Sequence, residues 1–273
     1  MLFVSGEKPG RFQKALDAGA DLVCIDLEDA VHPDRKDQAR QDVLAFAAQR
    51  VPGRCALAVR LNALRTREGL ADVHALVHSG VRLDAVVLPK TEQARDLALF
   101  QSWAGGCFDA LVALVETPLG IENAASIAGA VTHGAPGLAA LMLGGADLSL
   151  ELGAAFDWDG LLSARARLVN AARSAGLQCW DVPHLDLDRL DALEEETRRV
   201  LRLGFTCKTA IHPSQIPSIH RAFAPAEDEV RWARALLAAS AADSTAGAFL
   251  FEGKMVDAPV LARARRIAQL AGS

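Results

Sequence analysis

Between residues 2 and 223 the chain alternates eight short apolar runs with eight longer segments of helical periodicity. The runs cover 2–6, 21–28, 55–62, 84–89, 109–116, 138–144, 178–183 and 207–211 and are almost continuously apolar. Strands of a parallel sheet have this composition, because helices cover both of its faces. The intervening segments, 11–18, 34–49, 66–79, 92–103, 120–131, 163–175, 189–203 and 214–223, read as those helices. In 34–49 the residues Ala39, Val43, Phe46 and Ala47 recur at helical spacing, and Asp34 stands where an N-cap would. Eight βα units in one chain favour an α/β fold closed into a (β/α)8 TIM barrel over an open sheet. The length of 273 residues leaves a remainder. It reads as a helix over 225–241, a loose linker over 243–248 and a last helix over 257–271. The expected organisation is a barrel domain over 1–223 and a C-terminal helical extension or lid over 224–273.

Several functional classes fall away. Apolar residues form 51% of the chain, but no uncharged stretch is both long and glycine-poor enough to cross a bilayer. A net charge of −5 with scattered basic residues offers no nucleic-acid surface. Five cysteines without CxxC spacing read as reduced thiols of a cytoplasmic protein. Met1 runs directly into Leu2-Phe3-Val4, without the basic region and long apolar stretch of a signal peptide.

The positions of the polar residues are more specific. The second run ends in Asp26-Leu27-Glu28-Asp29, the third in Arg60-Leu61-Asn62, the fourth in Pro89-Lys90 and the fifth in Glu116-Thr117. The sixth leads into Gly144-Gly145-Ala146-Asp147, the seventh contains Asp181, and the eighth carries Lys208 and His212. Seven successive strands thus bring an ionisable group to the end at which barrel enzymes perform chemistry. One such group is adequately explained as a polar cap. Seven converging charges are costly to bury unless a ligand or metal uses them.

Glu116 and Asp147 end adjacent strands, so their carboxylates can converge, and oxygen donors with water suit Mg²⁺ or Mn²⁺. Zinc is disfavoured by the lack of nitrogen or sulfur donors at these two positions. Arg60 has the planar fork that clamps a substrate carboxylate, and it can equally pair with Glu28 or Asp29, which would orient it. Asp257, followed by Pro259, reads as the N-cap of the last helix.

These motifs, in this order, resemble the citrate lyase beta-subunit family and its malyl-CoA and citramalyl-CoA lyase relatives, within the HpcH/HpaI aldolase superfamily. The resemblance rests on Leu2-Phe3-Val4-x-Gly6, Arg11-Phe12-x-Lys14-Ala15, Asp26-Leu27-Glu28-Asp29-Ala30-Val31, Val59-Arg60-x-Asn62, Leu88-Pro89-Lys90 and Glu116-Thr117-x-x-Gly120. It continues through Gly144-x-x-Asp147-Leu148, Gly204-Phe205-x-x-Lys208-x-x-Ile211-His212-Pro213 and Gly253-x-Met255-Val256-Asp257, so it spans almost the whole chain. Ser5 stands where proline is usual, Cys207 where glycine is usual, and Ala146 where many relatives have an acid. Met1 falls almost inside the first strand, whereas relatives usually carry a few residues, often including Arg and Ser, before it.

The resemblance implies a Mg²⁺-dependent carbon–carbon lyase with metal carboxylates Glu116 and Asp147 and substrate arginine Arg60, backed by the acidic pair Glu28 and Asp29. It further implies that Asp257 acts as a catalytic acid reaching the site of an adjacent subunit, in a homotrimer or hexamer. Arg11 and Lys14 become candidates for phosphate contacts of coenzyme A, and Lys90 for substrate binding. The expected reaction cleaves or forms a 3-hydroxy-acyl thioester of coenzyme A, or of an acyl carrier, with a 2-oxo acid as partner. Three rivals stand beside it. One is a metal-dependent aldolase on free 4-hydroxy-2-oxo acids, against which the Asp29-Ala30-Val31 run and the Asp257 tail argue. Another is Schiff-base chemistry at Lys90 or Lys208, and the third is a non-catalytic component of a larger lyase complex.

Overall fold

The computed structural model describes residues 1–242 and 248–271. The chain sorts into two compact units, Met1–Ile219 and His220–Ser273, so the division falls four residues before the expected boundary and inside a helix.

The first unit is a βα repeat. Its strands are β1 (Leu2–Ser5), β2 (Leu22–Asp26), β3 (Ala56–Arg60), β4 (Leu83–Leu88), β5 (Phe108–Val115), β6 (Leu138–Leu143), β7 (Gln178–Asp181) and β8 (Cys207–Lys208). They form one parallel sheet in sequence order. The sheet curls so that the segment just after β8 bridges to β1: Phe3 N–H donates to Ala210 O at 2.9 Å, and Ala210 N–H to Met1 O at 2.8 Å. Asp26, Arg60, Asp181 and Lys208 are the last residues of their strands, whereas Glu28, Asp29, Asn62, Lys90, Glu116 and Asp147 lie beyond the strand ends.

The helices are α1 (Phe12–Leu16), α2 (Lys36–Gln49), α3 (Arg67–His78), α4 (Ala94–Ala104), α5 (Pro118–Glu122), α6 (Ala124–Gly129), α7 (Gly145–Leu152), α8 (Trp158–Ser174), α9 (Leu190–Leu203) and α10 (Ile216–Phe223). Three expectations need correction. Asp34 does not cap α2. It lies in a short 3-10 turn, Pro33–Arg35, where its own N–H donates to His32 Nδ1 at 3.3 Å. The helix expected over 120–131 is two helices that break at Asn123, whose side chain donates instead to Glu92 O at 2.9 Å. Helix α7 was not expected at all, because its Gly144-Gly145 start reads as a loop. The Ala146–Leu152 stretch behind it consists mostly of competent helix formers, and Gly153 closes it with φ 64°.

Inside the sheet, Met1, Cys24, Ala58, Ala85, Val87, Val112, Leu114, Ala140, Met142 and Trp180 pack together. Side chains alternate faces along a strand. Counting two residues onward from these interior positions gives Asp26 after Cys24, Arg60 after Ala58, Glu116 after Leu114 and Gly144 after Met142. The sheet therefore aims these four inward at its C-terminal end. Asp181 and Lys208 lie one residue off that count, and they face the helices instead.

The second unit contains α11 (Glu227–Ala242), a hairpin of β9 (Phe249–Phe251) and β10 (Lys254–Val256), and α12 (Ala258–Leu270). Ala233, Leu236, Val256, Ala264 and Ile267 form its core. The hairpin falls between the expected linker and the last helix, where the sequence has no periodic pattern. It turns through Glu252 and Gly253 at φ 49° and 75°, the left-handed pair that a tight hairpin demands. Most of the expected linker, residues 243–247, lies outside the described residues. Among the described residues no helix is long and apolar enough to cross a membrane.

Candidate active site

The interior positions at the C-terminal end of the sheet build one connected polar site. Asp26 and Arg60 are paired in register across β2 and β3. Arg60 donates to both Asp26 oxygens, from Nε and Nη2, at 2.7 Å each. The remaining nitrogen, Nη1, lies 2.9 Å from Glu28 Oε2 and 3.6 Å from Asp29 Oδ2. Phe3 of β1 supports the guanidinium from below, its ring centroid 5.3 Å from Cζ. The sequence reading named Glu28 and Asp29 as partners of this arginine and gave Asp26 no part. Strand register was the missing signal: the last residues of two adjacent parallel strands face the same way.

Glu28 is almost fully buried, and Oε2 accepts no hydrogen bond despite its ion-pair distance to Arg60. Burial pushes its carboxyl up to about 8, Arg60 opposes the shift, and the charges of Glu116, Asp29 and Asp26 add to it. The fold therefore holds the Glu28 proton more tightly than the unfolded chain does, whose value is near 4.5. Its contribution to stability is complete below about 4.5 and is lost as pH rises through about 8. Urea midpoints in EDTA should accordingly fall between pH 5 and pH 8.5, and Glu28→Gln should flatten that fall. A fall of the same size in the variant would put the Glu28 carboxyl back in the ordinary range.

The segment carrying Glu28 is held from behind. Lys36, at the start of α2, donates to Leu27 O at 2.7 Å, Glu28 O at 2.6 Å and Asn62 Oδ1 at 2.7 Å. Asn62 in turn donates to buried Asp72, which also receives Arg40 Nε at 2.6 Å. This network was invisible in the sequence, because its members come from α2, α3 and the end of β3.

Glu116, at the end of β5, is buried, and Asp147, in the first turn of α7, is about one-third exposed. The two carboxylates converge on one cation, the ammonium of Lys90. It makes a close ion pair with Asp147 Oδ2 and lies 3.7 Å from Glu116 Oε1. Burial raises the Glu116 carboxyl, and the Lys90 charge and backbone N–H restrain the rise. That N–H donates to Glu116 Oε1 at 2.8 Å from a left-handed backbone, φ 49°. A lysine holds such a conformation only where its surroundings fix it, and here the buried acceptor does. Glycine at 144 is obligatory: a Cβ there would lie 2.4 Å from Glu116 Oε2.

The other strand-end charges do not join this site. Asp181 and Lys208 form a second buried cluster with Arg165 of α8 and Glu196 of α9. Arg165 Nε and Lys208 Nζ donate to Asp181 at 2.9 and 2.6 Å, and Lys208 also pairs closely with Glu196. Burial alone would raise Asp181, but Lys208 and Arg165 hold it below the usual carboxylate range. Lys208 Nζ is enclosed by these two acids without exposure, out of reach of a substrate carbonyl. His212 caps the turn Pro213–Gln215 through Nδ1. Arg11 and Lys14 stand exposed at the start of α1. In the second unit Asp257 caps α12, accepting from Val260 N–H at 3.3 Å.

Known proteins agree with this architecture. The HpcH/HpaI aldolase/citrate lyase family model matches residues 1–213. A citrate lyase subunit beta-like protein of Mycobacterium tuberculosis is 36% identical over 279 residues, covering 99% of this chain and 94% of the relative. A mitochondrial citramalyl-CoA lyase of Rattus norvegicus is 29% identical, covering 100% of this chain and 86% of that protein. The crystal structure of the protein CitE from Mycobacterium tuberculosis, in complex with magnesium, acetoacetate and coenzyme A, superposes with a TM-score of 0.85 at 36% identity, covering 100% of this chain and 97% of that one. A citrate lyase beta subunit from the same organism, complexed with oxaloacetate and magnesium, gives a TM-score of 0.71 at 34% identity over 82% of this chain and 96% of its own. On fold, site and sequence together, the chain belongs to the HpcH/HpaI aldolase/citrate lyase family and is a lyase.

Proposed function

We propose that this protein is a Mg²⁺-dependent carbon–carbon lyase that splits, or forms, a 3-hydroxy-acyl-CoA thioester of the malyl, citramalyl or citryl type. One observation carries the reading: carboxylates from two adjacent strand ends, Glu116 and Asp147, already enclose a single positive charge. The donor set fits Mg²⁺, being two hard anionic oxygens with no nitrogen or sulfur ligand. Among the described residues no group of three or more His, Cys, Asp or Glu could hold a metal, so the remaining ligands would be water and substrate oxygens. Relatives crystallised with magnesium and pyruvate, oxaloacetate or acetoacetate support the same ion and a small oxo acid. The scaffold is best read as a closed (β/α)8 barrel, given the Leu2–Ala210 bridge, with residues 224–273 as a helical extension.

When bound, Mg²⁺ supplies positive charge to the carboxylate and neighbouring carbonyl oxygen of the 2-oxo acid. Arg60, locked in orientation by Asp26, takes a substrate carboxylate oxygen on the edge facing Glu28 and Asp29. Burial raises the Glu28 carboxyl, which limits the negative charge beside an anionic substrate. Lys90 adds a further cationic contact, and Arg11 and Lys14 meet the phosphates of coenzyme A. Asp257 of a neighbouring copy, in a trimer or hexamer, moves the proton at the acyl carbon.

Arg60→Lys should raise the oxo-acid KM and lower kcat, since one ammonium replaces neither the fork on Asp26 nor the substrate contact. The expected loss in kcat/KM is about 1.5–3 kcal/mol, the scale of a hydrogen bond to a charged group. An unchanged kcat/KM would make Arg60 purely structural.

Relatives named citrate lyase subunit beta, such as that of Escherichia coli at 34% identity, favour a second reading, a component that works only inside a larger lyase complex. A panel of CoA thioesters and oxo acids, assayed on the isolated chain with and without EDTA, separates the two. EDTA-sensitive turnover of a free CoA ester is the expected result. Oxo-acid binding without turnover of any ester would favour the component, and EDTA-insensitive turnover would overturn the metal assignment.

A further inference from the structure

We infer that the Lys90 ammonium is the built-in counter-ion of the Glu116 and Asp147 carboxylates, and that an arriving divalent ion displaces it by rotating the side chain alone. The inference rests on the assignment of Glu116 and Asp147 to the metal. Two carboxylates this close, one of them buried, are costly without a cation between them. Among the described residues the charge in contact with both is Lys90 Nζ, paired closely with Asp147 and 3.7 Å from Glu116. It therefore stands between the two carboxylates that a shared divalent ion would bind. A divalent ion and an ammonium cannot both occupy that space.

The backbone explains why displacement leaves the site intact. Lys90 touches Glu116 twice, and only one contact has to break. Its N–H stays on Glu116 Oε1 at 2.8 Å, holding the left-handed turn and the carboxylate in place. Thr91, next in the chain, is anchored separately: its N–H donates to Leu114 O at 3.1 Å and its hydroxyl to Leu88 O at 2.9 Å. The lysine stem has four rotatable carbons and an ammonium that needs no fixed geometry. An exit lies alongside. Lys90 is half-buried and lines a cavity of about 300 Å³ shared with Arg65, Glu92, Asp96, Thr117 and Glu151. Three of these five are acids, so a displaced ammonium finds counter-charges there. Arg65 already occupies Glu92 and Asp96, at 2.6 and 3.2 Å, and Glu151 completes the acidic lining.

Two measurements on the full chain test this. Amine acetylation at Lys90, mapped by mass spectrometry, should be slow in EDTA and several-fold faster when Mg²⁺ saturates the protein, with exposed Lys14 as the internal reference. Calorimetric titration with Mn²⁺ should give an affinity about tenfold tighter for Lys90→Met than for the wild type, because one positive charge no longer competes. Lys90→Arg, which keeps the charge, should not show that gain. Wild-type protein that binds metal without any rise in Lys90 acetylation would overturn the inference and leave the metal assignment standing. So would Lys90→Met binding Mn²⁺ equally or more weakly, which would make Lys90 an organiser of the carboxylates. Wild-type protein that binds neither Mg²⁺ nor Mn²⁺ would overturn both.

Discussion

Glu116→Gln and Asp147→Asn should each abolish tight Mg²⁺ binding and reduce turnover by at least roughly 10²–10³-fold, the scale of removing one preorganised electrostatic stabiliser. The fold should survive both changes. Glu116 is buried with its carboxyl raised by that burial, so an uncharged amide costs little there. The amide oxygen still accepts the Lys90 N–H, and the chain keeps the turn at 90 and the close approach of Gly144. Asp147 is partly exposed in the first turn of α7, where Asn is also tolerated. What disappears in either case is half of the protein's negative charge on an ion that sheds water reluctantly. Circular dichroism, with calorimetry of Mg²⁺ binding, separates loss of fold from loss of metal. A wild-type Mg²⁺ affinity in either variant would show that the ion binds elsewhere.

The second large effect belongs to the tail. Asp257→Asn should leave stability almost unchanged and lower activity by roughly 10²-fold or more. The structure shows a sound reason for an acid at this position that has nothing to do with catalysis, the cap on α12. Asparagine caps as well as aspartate does, so the substitution isolates the proton-transfer role, whose usual magnitude sets the expected loss. Mixing Asp257→Asn protein with Glu116→Gln protein then asks whose site the aspartate serves. Recovered activity in mixed oligomers would place Asp257 of one copy beside the metal of another. Full activity of Asp257→Asn alone would reduce the residue to a helix cap.

The eight strands were legible because a sheet covered on both faces demands apolar residues at every position, and that demand is written locally. Helix α7 was not legible, since its Gly144-Gly145 entry is what a loop looks like. Glycine at 144 is set by the neighbouring strand, where the Glu116 side chain occupies the space of a Cβ. The tail hairpin escaped for a related reason. Its strands have three residues each and are stabilised by packing on α11 and α12 rather than by a periodic pattern.

The candidate site divides along the same line. Residue types and their places at strand ends, with Arg60, Glu116 and Asp147 at the centre, were determined by the sequence, because chemistry and strand termini are local properties. Which of the seven strand-end charges meet was decided by the tertiary structure. A strand turns each successive side chain to the opposite face, so one residue of offset sends Asp181 and Lys208 to Arg165 and Glu196, while Asp26, Arg60 and Glu116 turn inward. Register added what no single segment contains. Asp26 faces Arg60 only because β2 and β3 align those two residues, and Lys36 reaches the Glu28 segment only because α2 folds back over the ends of both strands. Long-range pairing of this kind depends on positions brought together from distant parts of the chain, and local composition carries no record of it.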